Sequence, residues 1–169
     1  PGEAPLMEVE HYTMRGAFQD VSFSLRKGEI LGITGLLGCG RGELAESLFG
    51  LIPADSGSIR INGREAGIFR KVDDALAHNI AYVPEDRLTE GLHLDQSIAD
   101  NAVSRIIGRF AGRTGLLDIK GLSRQKEESL SSMSVAGMKP QNPAKSLSGG
   151  NQQKIVLIKW LAYNPDILI

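Results

Sequence analysis

Leu147-Ser148-Gly149-Gly150-Asn151-Gln152-Gln153-Lys154 runs directly into the apolar stretch Ile155-Val156-Leu157-Ile158-Lys159-Trp160-Leu161. A turn of small residues therefore opens a helix. Two adjacent glycines let the backbone come close to a ligand, and a serine hydroxyl stands beside the first amides of the helix, which have no intrahelical partner. Those amides carry roughly half a positive charge, which suits a phosphate. Ser-Gly-Gly by itself says no more than an N-cap behind a glycine turn.

A second stretch upstream has the same flavour. Gly35-Leu36-Leu37-Gly38-Cys39-Gly40-Arg41-Gly42 follows the short apolar run Ile30-Leu31-Gly32-Ile33-Thr34, expected to be a strand buried on both faces, and precedes a helix expected over 43–49, beginning at Glu43. A glycine-rich loop between strand and helix is where a phosphate-binding P-loop belongs. Its glycines let N–H groups ring the phosphates, a lysine reaches the β and γ phosphates, and a Ser or Thr hydroxyl binds magnesium. The glycines Gly35, Gly38 and Gly40 are present, but the lysine place holds Arg41 and the hydroxyl place holds Gly42. Arginine keeps the charge yet is bulkier and forks its donors, and glycine offers magnesium no side-chain oxygen. The loop is expected to hold nucleotide and to be poorly built for hydrolysis. Cys39 needs only a small side chain to fit its place.

The third stretch is Tyr82-Val83-Pro84-Glu85-Asp86-Arg87, with Glu90-Gly91-Leu92 beyond it. Alone it reads as a buried strand stopped by proline, whose acid and base pair on the surface for little energy.

Taken together, the three stretches resemble the ABC ATPases. The octapeptide is similar to their signature motif, in the Asn-Gln-Gln-Lys form typical of bacterial importers for monosaccharides such as ribose and galactose. Val-Pro-Glu-Asp-Arg resembles the second of the two fused ATPase halves of those importers, a half that typically carries arginine in the P-loop; Gly42 departs further from the pattern. Glu85 falls where the family generally has the glutamine of the loop that contacts magnesium, the attacking water and the membrane partner. The resemblance covers 7–169 and implies an α/β fold of the P-loop NTPase class: a mostly parallel sheet with an antiparallel β piece, plus a helical subdomain.

On this reading, 1–6 is a linker, 7–94 the first part of the ATPase core, 95–146 the helical subdomain, and 147–169 the signature helix with the start of the next strand. The family pattern puts the Walker B aspartate, the catalytic glutamate and a histidine switch beyond Ile169, so no catalytic residue is assigned within the chain, which resembles a truncated half and is expected to be inactive alone. Nucleotide-binding residues are Gly35, Gly38, Cys39, Gly40, Arg41, Gly42 and Glu43. Leu147, Ser148, Gly149, Gly150, Asn151 and Gln152 are expected to act on ATP held by the partner half. Tyr12 is a candidate for stacking on adenine; a place in the hairpin core is the competing and favoured reading.

What the resemblance implies further is ATP as ligand, with Mg2+ weak or absent at the local loop and no protein metal site. Implied partners are an N-terminal nucleotide-binding half of the same polypeptide, a second ATPase subunit, transmembrane permease subunits and, indirectly, a periplasmic or lipid-anchored sugar-binding protein. The implied place is the cytoplasmic face of the bacterial inner membrane. Rival readings are a non-catalytic regulatory nucleotide-binding module, a nucleoside importer ATPase, and a soluble ABC ATPase acting on ribosomes or DNA.

Local patterning fills in the remainder. Met7-Glu8-Val9-Glu10-His11-Tyr12 and Val21-Ser22-Phe23-Ser24-Leu25 alternate as half-buried strands. Lys27-Gly28-Glu29 is a turn, and Ser58-Ile59-Arg60-Ile61 with Asn62-Gly63 is a hairpin arm and its turn. Residues 72–78 read as helix, 80–83 and 166–169 as buried strands, and 95–138 as a helical insert broken around 108–115. His11, His78 and His93 show no metal-ligand spacing and no evident partner acid.

The composition sets outer bounds. With 169 residues, 41% hydrophobic and 23% charged, the chain is an ordinary globular domain able to bury a core. Nineteen Lys plus Arg against twenty Asp plus Glu leave a net charge of −1, which gives no pull towards nucleic acid or an anionic membrane. A single cysteine, Cys39, excludes an internal disulfide and suits a reducing compartment. No apolar run approaches the roughly 18–20 residues of a spanning helix, and the first residues lack a signal-peptide pattern.

Overall fold

The computed structural model of the chain describes residues 4–112, 114–131 and 139–169; residues 1–3 of the expected linker, residue 113 in the glycine break and 132–138 of the helical insert lie outside them. Two compact units result, one made of Pro1–Tyr82 with Asp166–Ile169, the other of Val83–Pro165.

The first unit is built on a four-stranded antiparallel sheet in the order β2-β1-β3-β4, with β1 at Met7–Met14, β2 at Phe18–Leu25, β3 at Ser56–Ile61 and β4 at Arg64–Glu65. Asn62 and Gly63, both at positive φ, turn β3 into β4 as their sequence predicts. On β1, Met7 and Val9 face the core beside Ile59 and Ile61 of β3. Strict alternation would then aim Tyr12 away. The pairing with both neighbours slips after Val9 and Glu10, and His11 takes a φ of 50°. That bulge restores Tyr12 to the core face, where it is fully buried.

Two helices accompany the sheet, α1 at Arg41–Leu48 and α2 at Val72–Ala77. α1 buries Leu44, Ser47 and Leu48, and the Asp74 carboxylate closes the start of α2 by accepting from the amides of Arg70 and Lys71. A parallel ladder joins β5 (Ile80–Ala81) to β6 (Ile167–Leu168). The expected strand at 30–34 is not formed. Those residues pair with nothing in a ladder, and Ile30 is 97% exposed, with Leu31 and Ile33 open as well. A strand buried on both faces needs neighbours on either side and cover above and below. Among the described residues, that cover does not surround 30–34, so the parallel portion is smaller than predicted.

The second unit is helical, with α3 at Ile98–Val103, α4 at Ile119–Ser131 and α5 at Gly149–Leu161. Val103, Ile106 and Leu122 form a buried cluster against which Phe110, Ala162 and Tyr163 pack. α5 buries Ile155, Val156, Ile158 and Trp160, an apolar stripe at helical spacing. Trp160 is thus a core residue, edge-on to Tyr163 with ring centroids 6.4 Å apart. The segment before α5 is laced to the segment before α3. Ile98 N–H donates to Asn142 O at 2.9 Å, Ala144 N–H to Gln96 O at 2.9 Å, and Lys145 N–H to Leu94 O at 3.0 Å. Buried Asn101 clasps the same loop, accepting from His93 N–H at 2.8 Å and donating to the Ser97 carbonyl at 3.0 Å.

Candidate functional site

In the first unit, the loop 35–42 ends at Gly40, the N-cap of α1, with φ 85° and ψ 12°. Only glycine fits there: the conformation is left-handed, and an added Cβ would run into the Ala17 carbonyl. The loop makes its own turn through Cys39 N–H to Leu36 O at 3.1 Å, and the Cys39 sulfur fills the space beside Gly35. Residues 35–39, Arg41 and Glu43 are exposed, and Gly42 is half-buried.

Phosphate chemistry fits this arrangement in part. The free amides at the start of α1 and the exposed cation of Arg41 suit an anion, while Glu43 adds a negative charge to the same first turn. Gly42 has no side-chain oxygen where the motif supplies a hydroxyl. An open apolar groove of about 420 Å³ lies in this unit, lined among others by Met7, Phe23, Leu25, Ile33 and Ile167, and none of its lining belongs to 35–42.

Tyr12 is not an adenine platform in this structure. Its ring is fully buried and stacks on Phe18 with centroids 5.9 Å apart, and its hydroxyl donates to Ser47 O at 3.3 Å. Burial pushes its phenol up from the usual value. Buried in this way, the ring presents no open face to a base.

In the second unit, Glu85 and Asp86 are exposed just ahead of a π-helical turn, Arg87–Gly91. Asp86 caps that turn, accepting from Leu88 N–H at 2.9 Å and Thr89 N–H at 3.4 Å, and these bonds hold its carboxyl below the usual carboxylate range. Its neighbour Arg87 adds a smaller charge effect in the same direction. The guanidinium itself reaches α5: Nε donates to Gln152 Oε1 at 3.4 Å.

The signature turn is presented to solvent. Ser148, Gly149 and Gly150 are exposed, Leu147 and Asn151 half-buried. Gln152 is different. It is buried, held by Arg87 and by its own Nε2 donating to Ala144 O at 3.5 Å, so within this chain it supports the turn from behind. Ser148 has N-cap angles (φ −63°, ψ 156°) yet its hydroxyl makes no capping bond. Ser97, at the start of α3 with nearly the same angles, does cap, accepting from Asp100 N–H at 3.0 Å.

Sequence reasoning missed several charged contacts, among them those of His11 and Lys159. His11 does have a partner acid, Asp20, with Nδ1 and Oδ1 2.7 Å apart across the bulge, and the carboxylate raises the imidazole above its usual pKa. Lys159, read as part of an apolar helix, donates to the Gly91 carbonyl at 2.6 Å; burial, then the charge of Arg105, pulls its ammonium below the usual value. His78 stacks on Phe69 at 5.6 Å, an ordinary packing role.

The sequence pattern of the ABC transporter family matches residues 18–169. The ribose import ATP-binding protein RbsA of Halalkalibacterium halodurans is 46% identical over 169 residues, which is 100% of this chain and 33% of that protein. The putative ribose/galactose/methyl galactoside import ATP-binding protein 1 of Agrobacterium fabrum is 42% identical over 168 residues, 99% of this chain and 33% of that protein. The chain thus spans about a third of the length of these relatives. Among solved structures, an ATP-binding cassette of an ABC transporter superposes with a TM-score of 0.78 at 17% identity, covering 98% of this chain and 68% of that one. CbiO1 from Clostridium perfringens, part of the ABC transporter complex CbiONQ, gives 0.72 at 16%, covering 98% and 64%. At those identities the structures speak for the fold alone, and the fold is that of an ABC-type P-loop ATPase. With the family pattern running through the loop 35–42 and the signature turn alike, the chain belongs to the ABC transporter family.

Proposed function

We propose that this chain is the nucleotide-binding part of an ATP-driven importer for a monosaccharide, and that it lends its signature turn to ATP held by a partner half. The observation that carries this reading is the contrast between two serines. Ser97 closes on its own helix, whereas Ser148 stands exposed at the head of α5 with its hydroxyl unused by the cap and two exposed glycines behind it. A hydroxyl and free amides left open together suit the γ-phosphate of a nucleotide presented from outside. The 46% and 42% identities to ribose and ribose/galactose import proteins support the sugar class.

The labour between the halves is unequal. Ser148, Gly149 and Gly150 complete the partner's site, while Gly35, Gly38, Cys39, Gly40, Arg41, Gly42 and Glu43 bind nucleotide weakly, with little help from Mg2+. Glu85 takes the place of the coupling-loop glutamine. The partners are an N-terminal nucleotide-binding half of the same polypeptide, a second ATPase subunit, permease subunits and, at one remove, a sugar-binding protein. The complex works at the cytoplasmic face of the inner membrane, and closing of the paired halves on ATP drives the permease between its states. Residues 95–146 serve as the helical subdomain. No described helix is long and apolar enough to cross a membrane itself.

The test is ATP-dependent pairing. The chain mixed with its natural first half is expected to associate when ATP is added, and Ser148→Arg to abolish the association by placing bulk and charge at the phosphate contact. Pairing that ignores both ATP and Ser148→Arg would refute the shared site. A second reading, a regulatory nucleotide-binding module without turnover, draws on Arg41 and Gly42; pairing with no gain in phosphate release over the first half alone would favour it.

A further inference from the structure

The Val-Pro-Glu-Asp-Arg stretch ends in an arginine for which the proposed function has no use, and that arginine is one end of a two-point attachment. Along α5, Gly149, Gln152, Val156 and Lys159 follow one another at intervals of three and four, so they form one stripe on the helix. Each member of the stripe meets the π-helical turn. Arg87 Nε donates to Gln152 Oε1 at 3.4 Å, and its Nη2 lies 2.9 Å from where a Cβ on Gly149 would stand. One helical turn further on, a Cβ on Gly91 would sit 2.9 Å from Val156 Cγ2, so the approach there is as close as glycine allows. Beyond it, Lys159 Nζ reaches the Gly91 carbonyl at 2.6 Å.

Other arrangements would cost the fold less. A cation at the head of α5 stands against the helix dipole, and an ammonium drawn from water to bond one carbonyl gives up its hydration. A π-helical turn is itself rare and is frequent at functional sites. We propose that Arg87 and Lys159 are positioning residues that fasten the turn Arg87–Gly91 to α5 at two levels, so that the loop carrying Glu85 and the signature turn at Ser148 shift as one piece. The inference rests on the reading of Ser148, Gly149 and Gly150 as the contact for the partner's ATP. Arg87 acts through Gln152 and Gly149, not on the nucleotide.

The experiment uses the complete natural polypeptide assembled with its membrane subunits, and measures phosphate release against ATP concentration. Arg87→Ala and Gln152→Ala are each expected to lower kcat by about tenfold to a hundredfold, the usual effect of a slightly misplaced reactive group, with KM for ATP and the melting temperature nearly unchanged. The double variant is expected to be no worse than the worse single, because both remove one contact. Arg87→Lys, which keeps the charge and loses the fork, should behave as Arg87→Ala. Lys159→Met should lower kcat in the same way. Independent, multiplying losses for Arg87→Ala and Gln152→Ala would overturn the attachment, as would a rise in KM alone or full rescue by lysine. Ser148→Arg in the same assay separates the two proposals: if it keeps wild-type turnover, the signature reading fails; if it is dead while Arg87→Ala and Lys159→Met are normal, only the attachment fails.

Discussion

The Tyr12 hydroxyl donates to the Ser47 carbonyl across 3.3 Å, joining the bulged strand β1 to the last turn of α1. Tyr12→Phe is expected to cost about 0.5–1.5 kcal/mol, the net worth of one hydrogen bond, and Tyr12→Ala about 3–5 kcal/mol for an emptied aromatic site. Urea denaturation reads both. Calorimetry should find nucleotide affinity unchanged in Tyr12→Phe; a large loss of affinity in a variant with normal stability would return Tyr12 to the nucleotide.

Ser97 and Ser148 should answer alanine differently. Ser97→Ala removes a cap that accepts from Asp100 N–H and donates to its carboxylate, and should destabilise by about 0.5–2 kcal/mol. Ser148→Ala should leave the unfolding midpoint nearly in place and lower ATP turnover of the paired halves. Equal destabilisation by the two substitutions would reduce Ser148 to a helix cap.

Some of this was legible in the sequence and some was not, for reasons that differ by residue. The Asn62-Gly63 turn and α5 rest on local chemistry, a positive-φ dipeptide in one case and a helical apolar stripe in the other, and both formed where expected. Tyr12 was harder, since strict alternation from Met7 places it on the wrong face and only the bulge at His11 corrects it. The run 30–34 has the composition of a buried strand, but strand formation depends on neighbours that its own residues do not specify. Arg87 and Gln152, or Gly91 and Lys159, lie far apart along the chain, and no local period links them. Gln152 illustrates the limit of motif reading: its membership of the octapeptide says nothing of its direction, which is inward.

His11 should titrate above the ordinary value of about 6.5, because Asp20 favours its protonated form. The sign follows from that direction. The pair's contribution to stability is fully present below the unfolded pKa and disappears as the pH rises through the higher folded one. NMR titration of the imidazole is the measurement, and Asp20→Asn should return it towards the free value. Both side chains are largely exposed, so added salt should weaken the shift. An unshifted titration in the wild type would dissolve the pair.

Arg41→Ala should weaken transport far less than removal of the corresponding lysine in the partner half. Loss of one charge-assisted contact costs at most about a hundredfold in affinity, and Gly42 already deprives magnesium of its hydroxyl. Calorimetry should accordingly find weak nucleotide binding by this chain with little dependence on Mg2+. Tight, strictly Mg2+-dependent binding together with an uptake-null Arg41→Ala would mean that the loop is an active one.

The open apolar stretch from Ile30 to Leu37 bears on colloidal behaviour as much as on the fold. Ile30, Leu36 and Leu37 stand in water, Ile30 on a groove that Phe23, Leu25 and Ile33 also line, and the backbone of 30–34 joins no ladder. A near-neutral net charge adds little mutual repulsion between copies. Greasy side chains next to backbone that joins no ladder make a surface that recruits other chains. Handled by itself, the chain will therefore be sensitive to concentration and cosolvent, binding apolar dyes and self-associating as it is concentrated, through a stretch that runs into the glycine-rich loop.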